Sequence, residues 1–148
     1  MSKTGTIAVT VPLEINLGMV ANLLCCAFEG GSNYFYCLDT DRYVKPTNIP
    51  KLGPIWDDEV YCHIHYPLSE DGSVCVLDKL DPNDLDVEND NPENLKAYTL
   101  NLEVVKKGLE IMATKYPKHF ADFIAENEDA GTGDIALQCM LFGEAKYG

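Results

Sequence analysis

The period of the hydrophobic pattern changes along the chain in a definite order, and this order restricts the possible folds. Before residue 101, several short segments alternate apolar and polar residues or are rich in β-branched and aromatic ones, with one helical segment among them. After residue 101 the spacing is helical. Strands followed by consecutive helices are typical of the α+β class. The sequence therefore predicts a single α+β domain over residues 1–148, with a small antiparallel sheet packed against three or four helices.

Five segments have the composition or the alternation of β-strands. They are residues 6–11, 33–38, 59–66, 73–77 and 96–100. The turn residues at 69–72 lie between the third and fourth segments, so these two are predicted to form a β-hairpin.

Four helices are predicted from their capping residues and from the helical spacing of their apolar residues. Asn16 would cap the first, whose apolar positions run from Val20 to Phe28 and which Gly30 and Gly31 would end. The other three cover residues 102–116, 117–127 and 135–142, with Asn101 and Asp134 as caps of the first and last of them.

Two segments have no regular period. Residues 39–58 contain Pro46, Pro50 and Pro54 and form an irregular loop too long to be an ordinary connection, and loops of this length are commonly functional. Residues 78–93 contain seven acidic residues and one lysine, which predicts a solvated acidic excursion from the domain. This excursion lacks the spacing and the glycine of a calcium-binding loop.

The charge of the chain disfavours anionic partners. Twenty-four acidic residues stand against eleven basic ones, giving a net charge of −13, and Arg42 is the one arginine. Such a field repels nucleic acid and anionic membranes.

The longest apolar run, residues 20–28, is too short to span a bilayer, and the N-terminus lacks a signal-peptide pattern, so a cytoplasmic protein is expected.

The cysteines and histidines do not form a recognisable metal or catalytic motif. Six cysteines without paired CxxC spacing or a secretion signal are expected to be reduced thiols. On a strand, His63 and His65 would face away from Cys62, so no metal is predicted. No catalytic residue or cofactor is predicted either; if the protein were an enzyme, His63, His65 and His119 would be the first residues to mutate.

The corner after the first helix is the strongest candidate for a ligand site. Its glycines would let a ligand approach the backbone, and its carboxylate and amide would form hydrogen bonds with a polar edge of the ligand. Its aromatic rings would stack on a flat ligand such as a nucleobase. The irregular loop at 39–58 would contribute cations and an indole ring. The predicted ligand-binding residues are Glu29, Gly30, Gly31, Asn33, Tyr34, Tyr36, Arg42, Lys45 and Trp56.

Two blocks of the sequence resemble a family of small acidic proteins of tailed phages and prophages. The first reads LCCAFEGGSNYF at residues 24–35, and the second reads QCMLFGE at residues 138–144, followed by Gly148. The chain has Tyr34-Phe35 where the family has Tyr-Trp, which keeps an aromatic ring but removes an indole donor. The resemblance implies a viral origin, hence the cytoplasm of the host cell, and a role against host defence; it carries no activity or catalytic residues.

Two functions follow as hypotheses. The first is a non-enzymatic counter-defence protein that sequesters a small nucleotide-like immune messenger, with a homo-oligomer pooling the few cations. The alternative is an inhibitor that binds a host defence protein, because clustered carboxylates can imitate nucleic acid in a basic groove. The residues predicted for this second role are Asp81, Asp84, Asp86, Glu88 and Asp90.

Overall fold

A computed structural model describes residues 5–7, 9, 13–82 and 95–147. Its helices are α1 (Leu17–Cys26), α2 (Cys62–His65), α3 (Leu102–Lys115), α4 (Pro117–Ile124) and α5 (Ala130–Phe142). Its strands are β1 (Tyr36–Leu38), β2 (Val74–Pro82) and β3 (Leu95–Leu100). A π-helical turn, Ala27–Gly31, continues α1, and a 3-10 turn, Thr40–Arg42, follows β1.

The three strands form one antiparallel sheet in the order β1-β2-β3. Val74 and Val76 of β2 belong to the main core, whereas Leu77 packs with Cys37 and Leu95 in a separate cluster. This difference follows from the alternation of side chains along a strand. The predicted α+β class, with a small antiparallel sheet and helices, is confirmed.

Helix α5 lies at the centre of the helical layer, in contact with α1, α3 and β3. Its residues Ala136, Leu137 and Cys139 are at most 1% exposed, in agreement with its almost entirely apolar sequence. Gly108 lets α3 approach α5 closely, because a Cβ there would lie 2.6 Å from the Met140 Cα. None of the described helices is both long and apolar enough to cross a membrane.

Helix α5 begins five residues earlier than predicted. Its cap is Asp129, whose Oδ1 accepts a hydrogen bond from the Thr132 N–H at 2.9 Å, and not Asp134. Gly133 of this first turn is needed for packing, because a Cβ there would lie 2.6 Å from the Ala27 backbone nitrogen. The local sequence resembles a loop, but contact with the end of α1 makes it helical.

The predicted strand at 59–66 is wrong, and so is the hairpin that depended on it. Cys62–His65 is one turn of helix, and β2 pairs with β1 and β3. His65 is 1% exposed; its Nε2 donates to the Trp56 carbonyl at 3.0 Å, and its Nδ1 accepts from the Tyr61 N–H at 3.0 Å. These two backbone bonds satisfy the buried ring only in the helical conformation, which outweighs the alternating pattern.

The predicted acidic excursion at 78–93 is wrong at its beginning. Asp78 is 1% exposed within β2, and its carboxylate accepts hydrogen bonds from the Leu80 N–H at 2.9 Å and the Tyr147 hydroxyl at 2.6 Å. A buried carboxylate with such partners is compatible with a central strand. Residues 83–94 lie outside the described residues.

The predicted strand at 6–11 lies mostly outside the part of the chain that the structure describes. Thr6, Ile7 and Val9 are described, and none of them belongs to a strand. The other three predicted strands and three predicted helices are present, with boundaries that shift by a few residues. The strand predicted at 33–38, for example, is regular only over Tyr36–Leu38.

Candidate functional site

The predicted corner is formed by the π-helical turn and the residues that lead into β1. Gly31 faces α5, because a Cβ there would overlap the carbonyl oxygen of Ala130. Gly30 is different, since the nearest neighbour to its added Cβ is the Ala130 Cβ at 4.0 Å. The close approach that Gly31 permits is therefore made by another helix of the protein.

The polar and aromatic groups of the corner are also engaged within the protein. The hydroxyls of Ser32 and Tyr34 donate to the two carboxylate oxygens of Asp134, each at 2.8 Å. Gln138 Nε2 donates to the Tyr34 oxygen at 3.1 Å. Burial and the hydrogen bond to Asp134 raise the pKa of Tyr34 to about 12. This network joins the corner to α5.

The ring of Tyr36 faces inward, and Phe35 is completely buried. The Tyr36 hydroxyl donates to the Phe28 carbonyl at 2.5 Å, and burial raises the pKa of Tyr36 to about 12.

By contrast, Glu29 and Asn33 are exposed. Glu29 Oε1 lies 3.1 Å from His63 Nε2, and the Asn33 carbonyl accepts from Lys79 Nζ at 3.4 Å.

The remaining predicted ligand residues lie away from the corner. Arg42 Nε donates to Asp39 Oδ2 at 2.6 Å, and Lys45 is exposed. Trp56 packs beside the middle of α1, where its Nε1 donates to Asn22 Oδ1 at 3.0 Å. The corner follows the last residue of α1, so the structure does not bring Trp56 to the glycines.

A row of aromatic rings connects these two places. The centroids of Trp56 and Tyr61 are 5.8 Å apart, those of Tyr61 and His63 are 6.4 Å apart, and those of His63 and Phe28 are 5.6 Å apart. All three pairs have T-shaped geometry, which is favourable between aromatic rings. The row joins the end of α1 to the segment 56–61.

A cavity of about 320 Å³ lies between the first half of α1 and residues 52–56. Its lining includes Met19, Asn22, Leu52, Ile55, Trp56 and Glu126. Trp56 is the one member of the predicted ligand set that lines it. The lining is mainly apolar with a few polar groups, as is typical of binding sites for small groups.

Residues 43–61, called here the long loop, are held by specific hydrogen bonds. Asp57 Oδ1 accepts from the N–H groups of Leu52 and Gly53 at 2.8 and 3.3 Å. Asp71 accepts from the Thr47 hydroxyl and from the Thr47 N–H, the latter at 2.9 Å, and these two hydrogen bonds lower the pKa of Asp71. With the bond from His65 to Trp56, these contacts order the loop at three points.

Sequence reasoning did not find Asn22, Asp57, Glu126 or the anchoring role of His65. Asp57 accepts from N–H groups five and four residues before it, so its partners are local, but the bonds run opposite to those of an Asx turn and follow no recognised turn pattern. Asn22 and Glu126 meet the loop from distant parts of the sequence, and the bonds of His65 to Tyr61 and Trp56 follow no periodic pattern.

The histidines and cysteines are dispersed. His119 Nδ1 lies 3.1 Å from Thr132 Oγ1, so His63, His65 and His119 contact three different partners. Within the described ranges, no group of three or more potential ligands could hold a metal ion. The six cysteines are free thiols, of which Cys62 is exposed.

The acidic residues predicted for partner binding are almost all beyond the described ranges. Asp81 belongs to β2, and Asp84, Asp86, Glu88 and Asp90 lie outside the residues that the structure describes.

Comparison of the chain with protein-family models, curated proteins and solved structures found no match. These comparisons therefore identify no enzyme family or enzyme fold.

Proposed function

We propose that the protein is a non-enzymatic inhibitor that binds a host protein through the long loop. The observation that carries this proposal is the exposure of large apolar side chains on an ordered segment. Of the ten large apolar side chains that the described residues expose, five lie in this loop. They are Val44, Ile49, Ile55, Val60 and Tyr61.

An ordered loop with exposed apolar side chains is suited to protein recognition. Its hydrogen bonds from Asp57, Asp71 and His65 reduce the conformational entropy that binding would otherwise cost. Ile55 is 79% exposed, and burying it against a partner would be favourable by about 1.5 kcal/mol or more. Five exposed apolar side chains on one ordered segment support an interaction surface there.

The charge of the loop and of the chain favours a basic partner. Asp57, Asp58 and Glu59 are consecutive exposed carboxylates between Trp56 and Tyr61. The net charge of −13 would accelerate association with a positively charged surface. Because the chain resembles small acidic phage proteins, the proposed partner is a bacterial defence protein with a basic surface.

The proposal is tested by affinity capture from a bacterial lysate. The double variant Ile55→Ser/Val60→Ser is compared with the wild type and with Ile7→Ser, an equally apolar and exposed position outside the loop. We expect a basic protein that the wild type and Ile7→Ser retain, that the double variant loses, and whose activity the wild type inhibits. Capture that is identical in all three proteins would contradict the proposal.

The acidic residues of segment 78–93 are tested separately. In the variant Asp81→Asn/Asp84→Asn/Asp86→Asn, we expect slower association and a weaker dependence on salt, because removing negative charge weakens the electrostatic steering toward a basic partner. The measurement is surface plasmon resonance with the captured protein at several salt concentrations. An unchanged association rate would restrict the interface to the long loop.

A second candidate is sequestration of a nucleotide-like messenger, and one observation favours it. Trp56 lines the cavity beside α1 together with Asn22, which offers a flat ring and an amide. Against it, Arg42 is paired with Asp39, and Glu126 is the charged residue of the lining. Thermal-shift screening against cyclic nucleotides and cyclic ADP-ribose isomers tests it, and no stabilisation across the panel would reject it.

A further inference from the structure

We infer that the cavity beside Trp56 binds an arginine side chain presented by the partner protein. This inference rests on the proposed function, since it names the chemical group that the cavity recognises. Three features support it: the backbone conformation of Glu126, the composition of the lining, and the charge at the rim.

Glu126 occupies a position that is unfavourable for its residue type. Its φ of 58° is left-handed, and it is the one non-glycine residue with positive φ among the described residues. Its N–H donates to the Phe123 carbonyl at 3.0 Å, and the Asn127 N–H donates to the Asp122 carbonyl at 2.8 Å. This pair of bonds is the Schellman motif, in which glycine or asparagine is usual at that position.

A glutamate in this conformation costs about 1 kcal/mol relative to glycine. The same residue lines the cavity. Backbone strain at a cavity wall is common where the side chain has a function. The cavity lining includes no basic residue that could pair with this carboxylate. A carboxylate in such a place is suited to bind a cation.

The rest of the lining fits an arginine. Trp56 offers an indole face, on which a planar guanidinium stacks more favourably than an ammonium. Met19, Leu52 and Ile55 provide apolar contacts for the aliphatic part of the side chain. The cavity volume of about 320 Å³ is ample for one such side chain and its hydration.

The charge near the cavity disfavours an anion. Asp57 is exposed beside Trp56, and its Oδ1 accepts from the N–H groups of Leu52 and Gly53. Asn16 Oδ1 accepts from the Gly18 N–H at 2.7 Å, which satisfies one donor of the α1 N-terminus that a phosphate would use. Charge complementarity therefore favours a basic protein segment over a nucleotide.

The inference is tested by fluorescence titration, because Trp56 is the one tryptophan of the chain. The probes are a synthetic peptide that alternates arginine with leucine and the same peptide with citrulline in place of arginine. Citrulline keeps the shape of the side chain but has no charge. At physiological salt, we expect the arginine peptide to change the Trp56 emission with a Kd about tenfold lower than that of the citrulline peptide.

Two variants with the same change of net charge distinguish binding at this cavity from non-specific electrostatic attraction between the acidic protein and the basic peptide. Glu126→Gln should reduce the preference for arginine to about twofold or less. Glu103→Gln removes an exposed carboxylate from α3 and should leave the preference intact. If Glu126→Gln retains the preference, or if both variants reduce it equally, the inference is overturned.

The remaining outcomes distinguish the inference from the proposed function. Quenching by AMP in place of the arginine peptide would make the cavity a nucleotide site and would overturn the inference. If neither peptide binds while lysate capture still depends on Ile55 and Val60, the inference fails and the proposed function stands. If the arginine peptide binds as expected but no host protein is captured, the proposed function fails.

Discussion

At the scale of single residues, Glu126 gives the simplest test of backbone strain. Replacing Glu126 by glycine should raise the free energy of unfolding by about 1 kcal/mol, because glycine adopts a φ of 58° without a steric penalty. The measurement is urea denaturation. Glu126→Ala is the matched control: it removes the carboxylate but keeps the Cβ, so it should give little or no gain. An equal gain in both variants would assign the effect to charge repulsion among neighbouring carboxylates.

The corner illustrates what residue types can and cannot predict. The sequence correctly identifies a helix end followed by aromatic residues, and Tyr36 indeed begins β1. The sequence does not reveal what occupies the space beside Gly31. That space is taken by the carbonyl group of Ala130, which is distant in the sequence, so no local pattern could distinguish a bound ligand from a second helix.

At the scale of secondary-structure elements, the contact between the π-helical turn and α5 predicts a contrast between adjacent glycines. Gly31→Ala should destabilise the protein by about 2 kcal/mol or more, because its Cβ would meet backbone, which cannot rotate away. Gly30→Ala should leave stability unchanged or slightly increased, since its Cβ has space and alanine favours helices. The measurement is chemical denaturation followed by circular dichroism. Equal effects of the two substitutions would contradict this packing.

Elements with local signals were predicted well, and those that depend on distant partners were not. Helix α3 has a capping residue, Asn101, and an apolar stripe, and it ends one residue from its predicted end. The turn of α2 depends on His65, whose bond to Trp56 no periodicity encodes. Strand β2 extends past its predicted end because Asp78 accepts hydrogen bonds from Tyr147 and Lys146, near the end of the chain.

At the scale of the whole molecule, the two blocks that carry the resemblance form one substructure. Phe35 of the first block lies 5.7 Å from Phe142 and 5.5 Å from Tyr147, centroid to centroid. Ser32 and Tyr34 bond to Asp134 of the same helix, α5. These contacts make the two segments parts of one scaffold. The long loop and its cavity lie outside these segments.

The same scaffold predicts how stability depends on alkaline pH. Burial and hydrogen bonds to Asp134 and Asp78 raise the pKa values of Tyr34 and Tyr147, respectively, to about 12, against an ordinary value of 10.0. Between these values the native state binds more protons than the unfolded state. The contribution of these two tyrosines to stability is therefore fully present below pH 10.0, falls as the pH rises, and is lost above about 12.

The measurement is the thermal unfolding temperature across this alkaline range, with the ultraviolet absorbance of tyrosinate followed in parallel. Lysines lose charge in the same range, so the slope of the wild type is compared with that of Tyr147→Phe, which keeps every lysine. The variant should be less stable at neutral pH, since it loses the bond to Asp78, but its stability should fall less steeply with pH. Parallel slopes would mean that the loss at alkaline pH comes from the lysines and from the net charge of −13, and that Tyr147 ionises without unfolding the scaffold.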